Sequence, residues 1–159
     1  MRVYTLKMIA THLNTTDYRE PASDCVCFNL RKAARAITQL YDEALRPTSL
    51  RATQFTILVA IRLQGAMTVS RLAESLVMDR TTLTRNLRPL EKARLVRVLR
   101  GEDRREREIT LTTGGQAALS KALPLWRQVQ AQVHRRLGSD RVNRLVEDLA
   151  GTVAVSQSH

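Results

Sequence analysis

The feature that most constrains the fold is a change of hydrophobic period between Asp79 and Thr112. The first part has apolar residues in steps of three and four, which predicts a helix with one buried face. These positions are Leu83, Leu87 and Leu90. From Val96 onward apolar and polar residues alternate, which predicts two short strands around a turn at 101–108. The segment must therefore fold as a short helix followed directly by a β-hairpin.

Helical stripes precede and follow this segment. We predict helices over 23–45, 52–64, 68–76 and 116–137, a helix starting at Asp79, and a last one after Gly138. Ser23 or Asp24 could cap the first, and Pro89 should bend or loosen the helix that contains it. The run Thr112-Thr113-Gly114-Gly115 is expected to end the hairpin before the 116–137 helix. Residues expected to face inward include Leu63, Val142, Leu145, Val146, Leu149 and Val153.

Charge points to a polyanionic partner. The chain has 159 residues and a net charge of +11, and most of its positive charges are arginines, whose planar guanidinium suits phosphates and guanine edges. No apolar run is long enough for a membrane span, and the N-terminus lacks the apolar core of a signal peptide, so we expect a cytoplasmic protein without a membrane partner. Two cysteines are too few for a disulfide scaffold or a structural zinc site. We expect no metal and no cofactor.

The helix after Asp79 would be the reading helix of a winged helix-turn-helix, a mainly α fold with a small β-hairpin wing. Asp79 would cap it, and Thr68 and Ser70 would contact phosphates from the preceding helix. The wing tip carries as many acidic as basic residues, so net charge does not explain how it would bind DNA. We expect instead that one arginine, held by Asp103, enters a minor groove. The candidate DNA contacts are Thr68, Ser70, Arg80, Thr81, Thr82, Arg85, Asn86, Arg88, Arg104 and Arg105.

The flanking helices carry apolar stripes broader than a monomer of this size can cover. We therefore predict a two-fold homodimer on a palindromic duplex. Residues 1–22 would form an N-terminal arm, 23–48 and 113–159 the dimerisation helices, and 49–112 the DNA-binding domain. The alternative is that the flanking helices simply pack on the central unit.

Three motifs resemble the MarR family of transcriptional regulators. Thr68-Val-Ser-Arg-Leu-Ala resembles the helix before that family's reading helix, and Asp79-Arg-Thr-Thr-Leu-Thr-Arg-Asn-Leu resembles the reading helix itself. Asp103-Arg-Arg followed by Leu111-Thr-Thr-Gly-Gly resembles its wing. The resemblance implies a dimeric repressor without enzymatic activity, released from DNA by a small molecule or an oxidant. It also implies that the wing arginine is Arg105, positioned by Asp103.

The segment from Cys27 to Tyr41 resembles the first helix of the organic-hydroperoxide-sensing branch of that family. There a cysteine at the position of Cys27 is oxidised and tyrosines hydrogen-bond to it; Tyr41 occupies one tyrosine position and Arg31 the other. Cys25 and Cys27 are about 200° apart on an ideal helix and could not bridge without unwinding its first turn.

The sequence is also compatible with other functions. Arg31, Tyr41 and Trp126 could line a cleft for a small aromatic or acidic effector. Cys27 could instead serve a thiol-dependent, peroxide-reactive enzyme, although no histidine or resolving cysteine is evident nearby. RNA binding is disfavoured because the reading helix and wing hold no aromatic residue for stacking.

Overall fold

Six helices and a small three-stranded sheet make up the described part of the protein. The computed structural model describes residues 23–100 and 107–157, and for residues 100, 156 and 157 it describes the backbone alone. The helices are α1 (Val26–Leu45), α2 (Ala52–Gln64), α3 (Val69–Ser75), α4 (Arg80–Lys92), α5 (Thr113–Leu137) and α6 (Ser139–Gln157). The strands are β1 (Met67–Thr68), β2 (Val96–Arg100) and β3 (Arg107–Leu111). A 3₁₀ turn, Arg46–Thr48, follows α1.

The chain divides into two units, Met1–Ile37 and Thr38–His159. In the first, α1 begins at Val26, and Cys25 separates it from the helical residues Ser23 and Asp24. The Asn29 backbone N–H donates to the Cys25 carbonyl at 3.1 Å, and the Asn29 side chain donates to the Ser23 and Cys25 carbonyls at 2.9 and 3.0 Å. Cys25 therefore lies just ahead of the helix. Residues of α1 in this unit are exposed except the half-buried Leu30.

The second unit contains the hydrophobic core. The predicted inward positions of α4, Leu83, Leu87 and Leu90, are all buried, as are Phe55 and Leu58 of α2. The helix also continues through Pro89, as its leucine spacing required, and the Ala93 backbone N–H donates to the Pro89 carbonyl at 2.9 Å. The helical prediction for this segment is therefore confirmed.

The predicted hairpin is confirmed, and it gains a third strand. β2 pairs antiparallel with β3, with Val98 opposite Ile109, while β1 pairs with the other edge of β3 through Met67 opposite Ile109. The sheet order is thus β1–β3–β2. Since β1 directly precedes α3, it connects the helix-turn-helix to the hairpin by backbone hydrogen bonds.

The turn between α3 and α4 is closed by backbone hydrogen bonds. The Met78 N–H donates to the Ala73 carbonyl at 2.9 Å and the Val77 N–H to the Glu74 carbonyl at 3.0 Å. Val77 has φ 51°, in the left-handed region that a β-branched residue rarely adopts. The structure therefore stores backbone strain at the turn that sets the direction of α4.

The start of α5 differs from the sequence prediction. Thr112 caps the helix, since its Oγ1 accepts the Gly115 N–H at 3.0 Å and donates to the Arg94 carbonyl at 2.6 Å. Its N–H also donates to the Leu95 carbonyl at 3.1 Å. The hairpin ends at Leu111 as expected, but the helix begins at Thr113 and not at Gln116, so the Gly114–Gly115 pair is helical. We call the contact of Thr112 and Gly115 with Arg94 and Leu95 the Thr112 junction.

Several residues that were expected to face inward are exposed in the single chain. Leu63 is 80% exposed, because α2 ends one residue later and nothing in the described residues covers this side of its last turn. Among the described side chains of α6, only Val142 is buried. The remaining stripe, exposed by 39–57%, consists of Leu145, Val146, Leu149 and Val153.

Among the described residues, no helix is long and apolar enough to cross a membrane.

The Thr112 junction generates a stability prediction. A Cβ on Gly115 would lie 2.1 Å from the Leu95 carbonyl oxygen, whereas a Cβ on Gly151 of α6 would meet nothing within 4 Å. Gly115→Ala should therefore destabilise the protein by roughly 1–3 kcal/mol, because backbone must move to admit the methyl group. Gly151→Ala, the matched control, should be neutral or stabilising by up to about 1 kcal/mol. Thermal unfolding followed by circular dichroism would measure both, and equal melting temperatures would contradict the prediction.

Candidate nucleic-acid interface

The N-terminus of α4 is held by Asp79. Its Oδ1 accepts the Thr82 N–H at 2.7 Å. Hydrogen bonds from Thr82, with smaller contributions from the Thr81 N–H and the charge of Arg85, hold the pKa of Asp79 below its ordinary value. The carboxylate therefore stays ionised as a cap, complements the helix dipole and lies within electrostatic reach of Arg85.

The outward face of α4 is narrower than the sequence predicted. Arg80, Thr81, Arg85 and Arg88 are exposed and, with the half-buried Thr84, line an open depression of about 410 Å³. None of these arginines has an ion-pair partner within 4.0 Å among the described residues. The depression is thus lined by guanidinium and hydroxyl groups, which suit phosphates and base edges.

Two of the predicted contacts are less available than expected. Thr82 and Asn86 are half-buried, and the Asn86 Nδ2 donates to the Thr82 carbonyl at 2.9 Å. This side chain folds along the helix because the carbonyl one turn earlier is within reach of its amide. Reading by Asn86 would therefore require breaking a hydrogen bond within α4.

The start of α3 carries the remaining described candidates. Thr68 is its N-cap, and its Oγ1 accepts the Arg71 N–H at 3.2 Å. Ser70 is exposed, and together with Arg80 it lines a depression of about 440 Å³ over the turn between α3 and α4. Both residues can still donate a hydroxyl hydrogen to a phosphate.

The wing is described in its strands but not at its tip. Asp103, Arg104 and Arg105 lie outside the described residues. Arg107, the first residue of β3, lines a cleft of about 210 Å³ between the hairpin and α4. Arg107 was not among the DNA contacts predicted from the sequence. The predicted hairpin contains this residue, but its position beside α4 depends on the pairing of β3 with β2, in which Arg107 lies opposite Arg100.

The candidate sensor residues of the first unit are exposed. Cys27 lies in the first turn of α1, and Arg31 follows one turn later on the same face. Cys25 lies ahead of the helix, and its Sγ accepts the Phe28 N–H at 3.4 Å. Cys27 belongs to α1 and Cys25 is not assigned to a helix, and both thiols are free.

Tyr41 and Trp126, both in the second unit, make structural contacts. The Tyr41 hydroxyl donates to Gln130 Oε1, and burial raises the pKa of Tyr41. Gln130 Nε2 lies 3.3 Å from His134 Nε2, whose other ring nitrogen lies 3.3 Å from Ser139 Oγ. Trp126 stacks on Phe55 with ring centroids 6.4 Å apart and an interplanar angle of 22°. These contacts join the C-terminal part of α1 to α5, and α2 to α5.

An apolar groove lies between α2 and α5. Its volume is about 310 Å³, and the exposed Leu63 forms part of its wall. Its lining consists of Phe55, Val59, Arg62, Leu63, Gln116, Leu119, Ser120 and Leu123. The groove combines an apolar surface with the guanidinium of Arg62, which suits a small carboxylate with an apolar body.

The sequence is similar to those of known transcriptional regulators. The model of the MarR family matches residues 50–106. The HTH-type transcriptional regulator SarZ of Staphylococcus aureus is 30% identical over 76% of this chain and 83% of its own length. The regulator YwoH of Bacillus subtilis is 32% identical over 52% of this chain, and the match spans only 61% of YwoH.

The fold gives the same relationship. The transcriptional regulator MosR of M. tuberculosis, in a crystal structure in complex with DNA, superposes with a TM-score of 0.78 and 44% sequence identity. The match covers 85% of this chain and 98% of that one. The motifs, the helix-turn-helix with its hairpin and the extent of these matches agree, and this chain belongs to the MarR family of winged-helix regulators.

Proposed function

We propose that the protein is a homodimeric transcriptional regulator that binds palindromic double-stranded DNA. The observation that carries this proposal is the outward face of α4, where Arg80, Thr81, Arg85 and Arg88 are exposed without carboxylate partners among the described residues. A helix capped and presented in this way can enter a major groove. The crystal structure of MosR in complex with DNA supports the same use of this fold.

Within this face, Arg85 and Thr81 are the candidates for reading bases. Arginine can pair in bidentate fashion with guanine, and threonine can offer its hydroxyl or its methyl group. Thr68 and Ser70 at the start of α3 would contact phosphates and set the register. Arg104 and Arg105, supported by Asp103, are proposed to bring the wing tip into the adjacent minor groove.

The exposed apolar stripes support the homodimer. On α6, Val146 is 57% and Leu149 39% exposed, and α1 carries Phe28 at 51%. Apolar stripes of this kind on two helices favour burial against a second copy of the chain. A two-fold dimer would place its reading helices on half-sites about 10 bp apart. Because a bacterial-type regulator must reach chromosomal DNA, we propose that the protein is located in the cytoplasm.

Two signals could release the DNA. In the redox route, the Cys27 sulfur attacks the terminal oxygen of an organic hydroperoxide, so that an S–O bond forms as the O–O bond breaks. The leaving alkoxide takes up the proton that the thiol has lost, and the products are a sulfenic acid on the protein and an alcohol. The exposure of Cys27 and the Arg31 guanidinium one turn away favour this reaction. In the ligand route, a small aromatic acid would enter the groove between α2 and α5 and pair with Arg62.

We expect Arg85→Ala to weaken binding to a fragment from the gene's own upstream region by roughly 1–3 kcal/mol, because one bidentate base contact is lost. Arg127→Ala is the matched control, since Arg127 is an exposed arginine of α5 outside the reading face. Band shifts at fixed salt would measure both. Equal affinity of the wild-type protein for that fragment and a scrambled duplex at every salt concentration would contradict sequence-specific binding.

A charge on the α6 stripe should dissociate the dimer. Val146→Glu places a carboxylate where the isolated chain is exposed but the dimer would be dry, so sedimentation velocity should show a shift from dimer to monomer with unchanged helicity. Arg144→Glu is the control, because two residues along the helix place it about 200° away. A wild-type protein that sediments as a monomer throughout would reject the homodimer.

Release by organic hydroperoxide should depend on Cys27. We expect Cys27→Ser to bind DNA as the wild type does but to remain bound after hydroperoxide treatment, while Cys25→Ser still responds. Loss of the response in both variants would point to a bond between the two thiols and not to Cys27 alone. Wild-type binding that ignores hydroperoxide but is released by benzoate would replace the redox route with the ligand route. Repeated turnover of peroxide with a reductant would indicate a thiol enzyme.

A further inference from the structure

A cleft separates the reading helix from the wing strands. Its volume is about 210 Å³ and it is bounded by α4 on one side and by β2 and β3 on the other. The lining residues are Val69, Arg80, Thr84, Leu87, Arg88, Glu91, Val98 and Arg107. The buried Val69 and Leu87 form an apolar floor, and the exposed arginines stand at its rim.

The cleft concentrates positive charge. Arg80 and Arg88 come from α4, Arg107 comes from β3, and Glu91 is the one acidic residue in the lining. No carboxylate among the described residues lies within 4.0 Å of these guanidinium groups. Guanidinium groups that line one cleft from two elements, with no carboxylate within 4.0 Å of them, make a site for an anion.

This site is distinct from the outward face of α4. Arg80, Thr84 and Arg88 border both, because positions four apart form one ridge along a helix. Thr81 and Arg85 line only the outward depression, whereas Arg107 and Glu91 line only the cleft. One helix therefore presents a base-reading side and, across the ridge, a side that faces the wing.

We propose that the cleft seats a backbone phosphate of the duplex, with Arg88 and Arg107 binding it from opposite sides. The inference rests on the proposed function. If α4 lies in the major groove and the hairpin reaches the adjacent minor groove, the sugar-phosphate backbone between those grooves must pass between α4 and the hairpin. The cleft is at that place, and its arginines match the geometry of phosphate oxygens.

Arg107 and Arg85 would thus have different roles in the same interface. Arg107 binds a group that every sequence contains, so it sets register and affinity but not sequence preference. Arg85 faces the bases and affects preference. Glu91 repels a phosphate and therefore limits how deeply the backbone enters its end of the cleft.

The test compares Arg107→Gln with Arg85→Gln, and Arg127→Gln serves as an exposed control on α5. Affinity for the upstream fragment and for a scrambled duplex is measured across a salt series. Arg107→Gln should weaken both duplexes by the same factor and lower the salt slope by about one. Arg85→Gln should weaken the specific fragment more than the scrambled one. Glu91→Gln should tighten binding to both.

Several outcomes would overturn the proposal. Unchanged affinity and salt slope in Arg107→Gln, with Arg85→Gln still impaired, would remove Arg107 from the interface while leaving the proposed function intact. The same unchanged DNA binding, accompanied by Arg107-dependent calorimetric binding of inorganic phosphate without DNA, would assign the cleft to a free anion. A wild-type protein that binds no duplex would reject both proposals. Melting temperatures equal to that of the wild type would show that each variant is folded.

Discussion

The Thr112 junction is the contact on which the arrangement of the reading domain depends. Thr112 is at once the end of the hairpin and the cap of α5, and its hydroxyl and amide bond the carbonyls of Arg94 and Leu95, just after α4. Gly115 permits the approach, since any Cβ would strike the Leu95 carbonyl. The segment after α4, the end of the hairpin and the start of α5 therefore meet through backbone atoms and one hydroxyl group. Such a close contact leaves little freedom for the angles between these elements.

This junction and the β1–β3 pairing hold the two sides of the interface in place. The hairpin leaves α4 through Leu95, whose N–H donates to the Leu90 carbonyl at 2.9 Å, and returns at Thr112. β1 joins the far edge of β3 to the start of α3. The position of Arg107 relative to Arg88 thus follows from two closed hydrogen-bonded connections and not from the side chains themselves.

Local signals predicted most of the reading helix. Asp79, the leucine spacing and the change of period at Val96 act over a few residues, so sequence alone predicts α4 and the hairpin. Three features depended on tertiary contacts. A two-residue strand such as β1 has no pattern of its own; Gly115 looks like a breaker unless Leu95 is known to lie against it; and a helical wheel does not reveal that Asn86 bonds the Thr82 carbonyl. The stripe of α6 was correctly recognised as apolar, but one chain leaves most of it exposed.

The length of α5 gives the Thr112 junction a mechanical meaning. The helix has 25 residues from Thr113 to Leu137. It therefore spans about 37 Å, and a displacement of about 3 Å at its far end rotates it by about 5° around its first turn. Because Gly115 rests directly on the Leu95 carbonyl, backbone meets backbone at the first turn of α5. If α5 moves as one body, a displacement at its Gln130–His134–Ser139 end would therefore be transmitted to the base of the wing through this backbone contact.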